Sequence, residues 1–205
     1  MCRKCNQLCG WINRSILSKD IYVIKTLWNT LIQPRIDYCS QLWAPYKQGQ
    51  IQKLEGTLRS YTAKIPNLDN LNYWERLEHL HMFSIQRRME RYRIIYTWKA
   101  IEGLVPNFGI ITAHSIRKGR LCQIPKLNTK SSRAVQTIKE NSLFIRGPQL
   151  FNSLPINLRE MADCTSEVFK RNLDKHLQTI PDEPRCPGYT QLSRTENNIT
   201  ITIKF

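Results

Sequence analysis

Apolar residues recur every three or four positions through the first hundred residues of the chain. Four successive stripes have this spacing: Cys5, Leu8, Ile12 and Ile16; Ile24, Leu27, Trp28, Leu31 and Ile32; Ile36, Cys39, Leu42 and Trp43; and Ile51, Leu54, Leu58 and Tyr61. Such spacing places apolar side chains on one face of an α-helix, so the pattern predicts consecutive packed helices. Asp20 is in position to cap the second helix. Pro34 is expected to end or kink that helix, and Pro45 and Pro66 to close the two that follow.

The longest helical pattern lies between a predicted cap at Ser84 and a predicted stop at Gly103. It has two apolar faces, which consist of Ile85, Met89, Tyr92 and Tyr96 on one side and of Ile94, Trp98 and Ile101 on the other. A helix with apolar residues on two faces is expected to be packed between neighbours. A shorter helix precedes it, and Asn72 with Glu75 forms the capping pair that predicts its start.

The second half of the chain differs from the first, because proline and glycine residues interrupt the helical spacing of apolar residues. These breakers are Pro106, Gly109, Gly119 and Pro125. Residues 121–124 have the pattern of a short extended segment, and residues 143–154 and 166–177 have the pattern of helices. The last helix is predicted to bury Phe169, Leu173 and Leu177. Apolar and polar residues alternate strictly over residues 199–203, and this pattern makes a further strand an alternative to the loose tail there.

These patterns predict an all-α protein in three parts. Residues 1–105 form a multi-helix bundle, residues 106–180 a more irregular, partly helical segment with two helices, and residues 181–205 a loose tail. The hydrophobic fraction of 41% and the charged fraction of 23% are ordinary for a folded globular protein. No apolar run is long enough to span a membrane, so no membrane partner is expected.

Charge distinguishes this chain more than hydropathy does. The 31 lysine and arginine residues exceed the 16 aspartate and glutamate residues by 15. Residues 1–105 carry 16 basic and 8 acidic side chains, residues 106–164 carry 9 and 3, and the remainder carries 6 and 5. Such an excess favours a polyanionic partner, either nucleic acid or an anionic membrane surface. Membrane-surface binding is the weaker alternative, because no basic helix has one clean apolar face.

The acidic residues do not form the sites that a polymerase needs. Polymerase chemistry requires aspartates that hold metal ions on neighbouring strands, and the sequence has no Asp-Asp pair. It also has no glycine-rich phosphate loop and no nucleophile elbow. The sequence therefore argues against an autonomous enzyme, and it predicts no catalytic residue and no cofactor.

Cysteine usage offers a weak metal signal near the start of the chain. Cys2, Cys5 and Cys9 include half of a zinc signature, but no cysteine or histidine pair at suitable spacing follows. Cys5 and Cys9 also fall close to the first apolar stripe, so core thiols are favoured and a metal site is the alternative. Seven cysteines, an odd number, and a start without a secretory signal favour reduced thiols in the nucleus or cytoplasm.

Arginines interleaved with aromatic residues are the strongest positive signal. The longest predicted helix carries Arg87, Arg88, Arg91 and Arg93 beside Tyr92, Tyr96 and Trp98. Arg87 and Arg91 are one turn apart and can face the same phosphate strand. A second basic cluster follows in a predicted loop, so the predicted phosphate contacts are Arg87, Arg91, Arg117, Lys118 and Arg120. The alternative for each is an ordinary solvated surface, and the aromatic residues are expected in the core.

Three sequence blocks carry a resemblance to a known family. The first consists of residues 6–12 and 26–45 (NQLCGWI and TLWNTLIQPRIDYCSQLWAP), the second of residues 73–77 and 83–88 (YWERL and FSIQRR), and the third of residues 151–155 and 169–177 (FNSLP and FKRNLDKHL). In this order and spacing they resemble the segment downstream of the palm in LINE-type, Jockey-like non-LTR retrotransposon reverse transcriptases. The resemblance covers roughly residues 4–178.

The resemblance implies a helical thumb followed by the C-terminal segment of the element. In such polymerases the thumb holds the template–primer duplex while the palm carries out the chemistry. The sequence has no counterpart of the fingers, the palm, the metal-binding aspartate motif or the upstream endonuclease. The expectation is a non-catalytic fragment of an RNA-directed DNA polymerase. Its expected partners are an RNA or DNA template–primer and, in the intact element, the palm.

A second interpretation is a degenerate or protein-docking remnant without autonomous activity. In that case, apolar surfaces that once packed on a palm domain would be exposed. The tryptophans that could form such a surface are Trp11, Trp28, Trp43 and Trp98.

Overall fold

A computed structural model describes residues 2–18, 20–68, 70–107, 109–126 and 132–182. Helices dominate these residues, and the strands among them form a single two-stranded sheet. The mostly helical fold class predicted from the sequence is therefore confirmed. Residues 183–205, which include the candidate strand at 199–203 and nearly all of the predicted tail, lie outside the described residues.

The described residues divide into two compact units. The first contains residues 2–89 together with Asp182, and the second contains residues 90–181. The division falls between Met89 and Glu90, inside the longest helix. The first boundary predicted from the sequence lies at residue 105, shortly after that helix ends. Residue 105 thus marks the point where the helical spacing of apolar residues ends, while the compact units divide earlier in the chain.

Helices build most of the first unit. They are α1 (Cys2–Ser15), α2 (Ile21–Leu27), a π-helical turn (Trp28–Ile32), α3 (Gln33–Asp37), α4 (Ser40–Trp43), α5 (Gln48–Thr62) and α6 (Tyr73–His79). The long helix α7 (Ile85–Ile101) begins in this unit. The elements that follow it are β1 (Thr112–Ser115), β2 (Gly119–Cys122), α8 (Arg133–Glu140), α9 (Leu143–Asn152), α10 (Ile156–Arg159) and α11 (Ser166–Gln178).

Three predicted caps hold the starts of their helices. The Asp20 carboxylate accepts hydrogen bonds from the first backbone N–H groups of α2. Asn72 and Glu75 form a complete capping box at α6, in which each side chain accepts from the backbone of the other. The Ser84 hydroxyl accepts from the backbone N–H of Arg87 at 3.0 Å and caps α7. These starts depend on local sequence, which explains why they were predictable.

Pro34 was predicted to end or kink its helix, and the structure does not show an end at this residue. The chain inserts a π-helical turn before it, where the carbonyl of Trp28 accepts from the backbone N–H of Gln33. Pro34 then lies in the first turn of α3, where a missing N–H needs no acceptor. The break comes at Cys39, whose φ of 51° separates α3 from α4. The π-helical turn accommodates Pro34 without a break in the helical backbone, so the helical path continues past this residue.

The hydrophobic core of the first unit gathers around Trp28. Its ring lies 5.1 Å from the ring of Tyr61, whose hydroxyl donates to the carbonyl of Ile24 at 2.9 Å. Cys5 and Cys9 are buried in the same core, and burial raises the pKa of Cys9 to about 11. This placement agrees with the core thiols that the sequence favoured.

The core of the second unit is centred on Trp98. Its ring stacks on Phe169 with centroids 4.4 Å apart, and its indole N–H donates to the carbonyl of Met161 at 2.8 Å. Phe169, Leu173 and Leu177 are fully buried, as predicted for α11. Every residue of α7 is buried or half-buried, which confirms that this helix is packed between neighbours. Trp98 therefore cannot belong to an exposed docking surface.

The extended segment predicted at residues 121–124 is part of a hairpin. Strand β2 pairs antiparallel with β1, with Thr112 opposite Cys122 and Ser115 opposite Gly119. The Asn152 side chain, at the end of α9, both donates to the carbonyl and accepts from the N–H of Cys122, each at 2.8 Å. Strand β1 and helix α10 were not predicted, because four residues are too few to show a periodic pattern. Helix α8 was not predicted either, although Val135 and Ile138 have helical spacing.

Gly147 lies where α9 packs closely against α7. A β-carbon at this position would lie 2.4 Å from the hydroxyl oxygen of Thr97, which is fully buried and bonded to the carbonyl of Arg93. Substitution Gly147→Ala is expected to lower the free energy of unfolding by roughly 1–3 kcal/mol, because neither helix can move without disturbing the core. Chemical denaturation measures this change.

Gly49→Ala is the matched control, because a β-carbon there meets nothing within 4 Å. It is expected to change the free energy of unfolding by less than about 1 kcal/mol. Equal destabilisation by the two substitutions would contradict the close approach at Gly147.

Glu55 is a fully buried carboxyl group in the first unit. It accepts hydrogen bonds from the Tyr73 hydroxyl at 2.7 Å and from the backbone N–H of Gln86 at 2.8 Å. Burial nevertheless raises the pKa of this carboxyl to about 7, because the two hydrogen bonds offset only part of the desolvation. The folded state therefore holds a proton that the unfolded state releases.

The free energy of unfolding is thus expected to fall as pH rises from about 4.5 to about 7, between the unfolded and folded pKa values. Glu55→Gln removes this dependence and is expected to stabilise the chain at pH 8 by up to roughly 3 kcal/mol. Urea unfolding at several pH values measures both effects. Glu78→Gln, which changes an exposed side chain of α6, is the control. A Glu55→Gln variant with the pH profile of the wild type would refute the assignment.

Candidate nucleic-acid interface

Arg87 is a buried structural residue rather than a surface cation. Its side chain is only 2% exposed and its Nε atom lies 3.6 Å from Asp182. Asp182 also accepts from the backbone N–H of Ser84 at 2.6 Å and from its hydroxyl at 2.7 Å. This arrangement leaves Arg87 no path to an external phosphate. Asp182 belongs to the loose tail predicted from the sequence, yet its carboxylate anchors the start of α7.

Arg91 is held by a carboxylate on another helix. Its guanidinium forms two hydrogen bonds with Asp174 of α11, and the side chain is 13% exposed. Arg87 and Arg91 are one turn apart, as predicted, but each is occupied by its own carboxylate. The predicted common contact to one phosphate strand does not match this geometry.

Arg88 and Arg93 of the same helix also have internal partners. Arg88 donates to Asp37 at 2.6 Å, and Arg93 donates to the carbonyl of Asn141 at 3.1 Å. The arginine cluster of α7 therefore serves packing along its whole length. Its partners lie far away in the sequence, so no local pattern could have revealed them.

Arg120 holds together the elements around the hairpin. Its guanidinium donates to Glu102, to the carbonyl of Arg159 at 2.8 Å and to the carbonyl of Met161 at 2.9 Å. Arg159 is itself buried and donates back to the carbonyl of Arg120 at 2.9 Å. Arg120 is thus fully engaged inside the second unit.

Arg117 and Lys118 are the two predicted contacts that point to solvent. They lie in the turn that joins β1 to β2, next to Ile116, which is also fully exposed. Gly119 ends this turn with a φ of 65°, a conformation that favours glycine. Within the described residues neither cation has an ion pair or a hydrogen bond. We call residues 116–118 the hairpin tip.

A second basic surface, on α11, carries both signs of charge. A groove with a volume of about 340 Å³ is lined there by Lys170, Arg171 and Lys175, but also by Glu167 and Asp174. Lys170 is paired with Glu167 at 2.7 Å. These carboxylates reduce the positive potential of this surface, whereas no carboxylate of the described residues is paired with Arg117 or Lys118 at the hairpin tip.

The described residues contain neither a metal-binding cluster nor a membrane-spanning helix. No group of three or more histidine, cysteine, aspartate or glutamate side chains in that part of the chain is arranged to hold a metal ion. Among the helices described there, none has the length and apolar composition of a bilayer-spanning segment.

Comparison of the chain with family models, with curated proteins and with solved structures gives no match.

Arg120→Lys tests whether this residue is structural. Lysine keeps the charge but loses the planar set of donors that reaches three acceptors, so the free energy of unfolding is expected to fall by roughly 1–3 kcal/mol. Thermal and chemical unfolding measure the change. Arg117→Lys is the matched control, since the same substitution at the exposed hairpin tip is expected to leave stability unchanged. If Arg120→Lys is as stable as the control, the network does not hold the unit together.

Proposed function

We propose that this chain is a non-catalytic C-terminal fragment of a retrotransposon reverse transcriptase that binds an RNA or DNA template–primer through phosphate contacts. The family part of the proposal rests on the three sequence blocks that resemble the region downstream of the palm. The binding part rests on the positive charge of the chain and on where that charge is exposed.

The single observation that carries the binding proposal is the hairpin tip. Arg117 and Lys118 lie side by side, exposed and without a partner among the described residues. Such cations donate hydrogen bonds to the phosphate oxygens of a nucleic acid whatever its base sequence. Their binding releases counterions from the nucleic acid. The adjacent exposed Ile116 offers an apolar contact to a sugar or a base. Binding of this kind is independent of sequence.

Four aspartates of the described residues bind groups of the fold. Asp20 caps α2, Asp37 pairs with Arg88, and Asp174 pairs with Arg91. Asp182 binds Ser84 and Arg87. These four carboxylates are committed to the fold, so the proposal gives them no catalytic role.

Affinity for a fluorescently labelled RNA–DNA hybrid is expected to be measurable at about 50 mM salt and to fall steeply by about 200 mM. Substitution of Arg117 and Lys118 by alanine is expected to lower the slope of log K against log salt by about 1–2, since each phosphate contact contributes roughly 0.9. Fluorescence anisotropy over a salt series measures both quantities.

Lys170→Ala/Lys175→Ala is the control, because it removes the same formal charge from a surface that already carries carboxylates. An equal loss of affinity in both variants would assign binding to overall charge and not to the hairpin tip. Undetectable binding at about 50 mM salt, or binding that salt does not weaken, would end the proposal.

Exposed apolar side chains in the first unit favour a second candidate, a remnant that docks on the polymerase palm. Trp11 is 52% exposed, Tyr22 78% and Tyr38 76%. Trp28, in contrast, is fully buried, and Trp43 is half-buried with its indole N–H bonded to the carbonyl of Tyr38. A chain that aggregates alone, and becomes soluble only with a palm-containing fragment, would favour this candidate.

A further inference from the structure

A polar groove in the first unit gathers cations that the sequence did not single out. Its volume is about 670 Å³, and it is lined by Cys2, Arg3, Asn6, Gln7, Gly10 and Arg14 of α1 and by Lys53 of α5. We call it the α1–α5 groove. It lies apart in sequence from the hairpin tip, which belongs to the second unit.

The sequence of α1 explains why this face is polar and open. Residues 3, 6, 7, 10 and 14 follow one another at helical spacing, so they share one side of the helix. Cys5, Cys9 and Ile12 are buried on the opposite side and fix the orientation of the helix. Gly10 adds no side chain to the middle of the groove, where a β-carbon would meet only the end of Arg14, at 3.9 Å.

The charges of the groove are not balanced. Arg3, Arg14 and Lys53 are exposed, and none of their side chains has an ion pair or a hydrogen bond within the described residues. In the part of the chain that the structure describes, no carboxylate lines this groove, whereas the groove on α11 contains Glu167 and Asp174. Asn6 and Gln7 add amide groups that donate to oxygen acceptors. The chemistry is that of an anion site.

The spread of the cations indicates a polymer rather than a small anion. The Arg14 guanidinium ends beside Gly10, which lies seven residues of helix after Arg3, and this separation corresponds to about 10 Å along the axis. One strand of a duplex rises about 3.4 Å per nucleotide, so this distance covers several consecutive phosphates. A single phosphate would need the three cations to converge on one point. An anionic membrane fits less well, because the described residues that line the groove include no large apolar side chain that could insert into it.

We propose that the α1–α5 groove binds the phosphate backbone of one nucleic-acid strand, independently of its sequence, with Arg3, Arg14 and Lys53 as the contacts. The proposal deepens the proposed function and rests on it, since it adds a second contact site for the same class of partner. It does not depend on Arg117 or Lys118, so the two sites can be tested separately.

The test uses the full chain, a labelled RNA–DNA hybrid and a salt series between about 50 and 200 mM. The triple variant Arg3→Gln/Arg14→Gln/Lys53→Gln changes exposed side chains only, and circular dichroism checks that it folds. Its affinity at the low-salt end is expected to fall at least about tenfold, and its salt slope to decrease by about 2–3, since each phosphate contact contributes roughly 0.9.

The control variant is Arg35→Gln/Lys47→Gln/Lys64→Gln, which removes the same charge from exposed positions of the same unit outside the groove. Acetylation of lysines in the presence of the hybrid gives a second readout, in which Lys53 is expected to be protected while Lys47 and Lys64 are not. Both measurements report on the groove itself.

Three outcomes overturn the proposal, and they can be told apart. If the wild type binds and the groove variant binds equally well, the groove is not a contact and the proposed function stands. If the control loses as much as the groove variant, total charge explains the effect. If the wild type binds vesicles of phosphatidylcholine and phosphatidylserine but no nucleic acid, both the groove assignment and the proposed function fail.

Discussion

The fold depends on one constraint, which is that every guanidinium taken out of water needs an acceptor. Arg76, Arg87, Arg93 and Arg159 are all less than 10% exposed. A buried cation without a partner is costly, because the interior cannot replace the hydration that it loses. The chain therefore places a carboxylate or carbonyl oxygen next to each of them. These acceptors come from loops and helix ends, so the arginines hold irregular segments that have little apolar surface of their own.

This constraint also explains which parts of the structure could be predicted from the sequence. The starts of α2, α6 and α7 were predictable, because Asp20, Asn72 and Ser84 bond to amides two or three residues away. The buried face of α11 was predictable from its spacing. The role of Arg87 was not, because its partner Asp182 lies at the far end of the described chain. A sequence pattern that places arginines beside aromatic residues is the same for a phosphate-binding face and for a buried ion pair.

The positively charged side chains consequently fall into two groups, those paired with acceptors inside the protein and those exposed to solvent. The arginines of α7 and Arg120 are hydrogen-bonded to internal acceptors. They therefore contribute little to the positive electrostatic potential in the surrounding solvent. The cations of α1 and of the hairpin tip have no such acceptor among the described residues, so their field extends into solvent. The predicted cluster with the highest density of arginine is therefore the poorer candidate for binding, and sparser cations on surface elements are the better one. Counting charges along the sequence cannot make this distinction.

The side chains that surround β2 have a consequence for how molecules of this protein meet one another. Asn152 occupies both backbone groups of Cys122, and Glu160 and Arg159 occupy the N–H and the carbonyl of Arg120. These are the groups through which β2 would accept a third strand on its outer side. Because side chains already bond these backbone N–H and C=O groups, this edge of β2 cannot form a ladder with a strand of a neighbouring chain. The described hairpin thus has its outward backbone groups on β2 occupied by side chains, while its charged turn stays exposed to solvent.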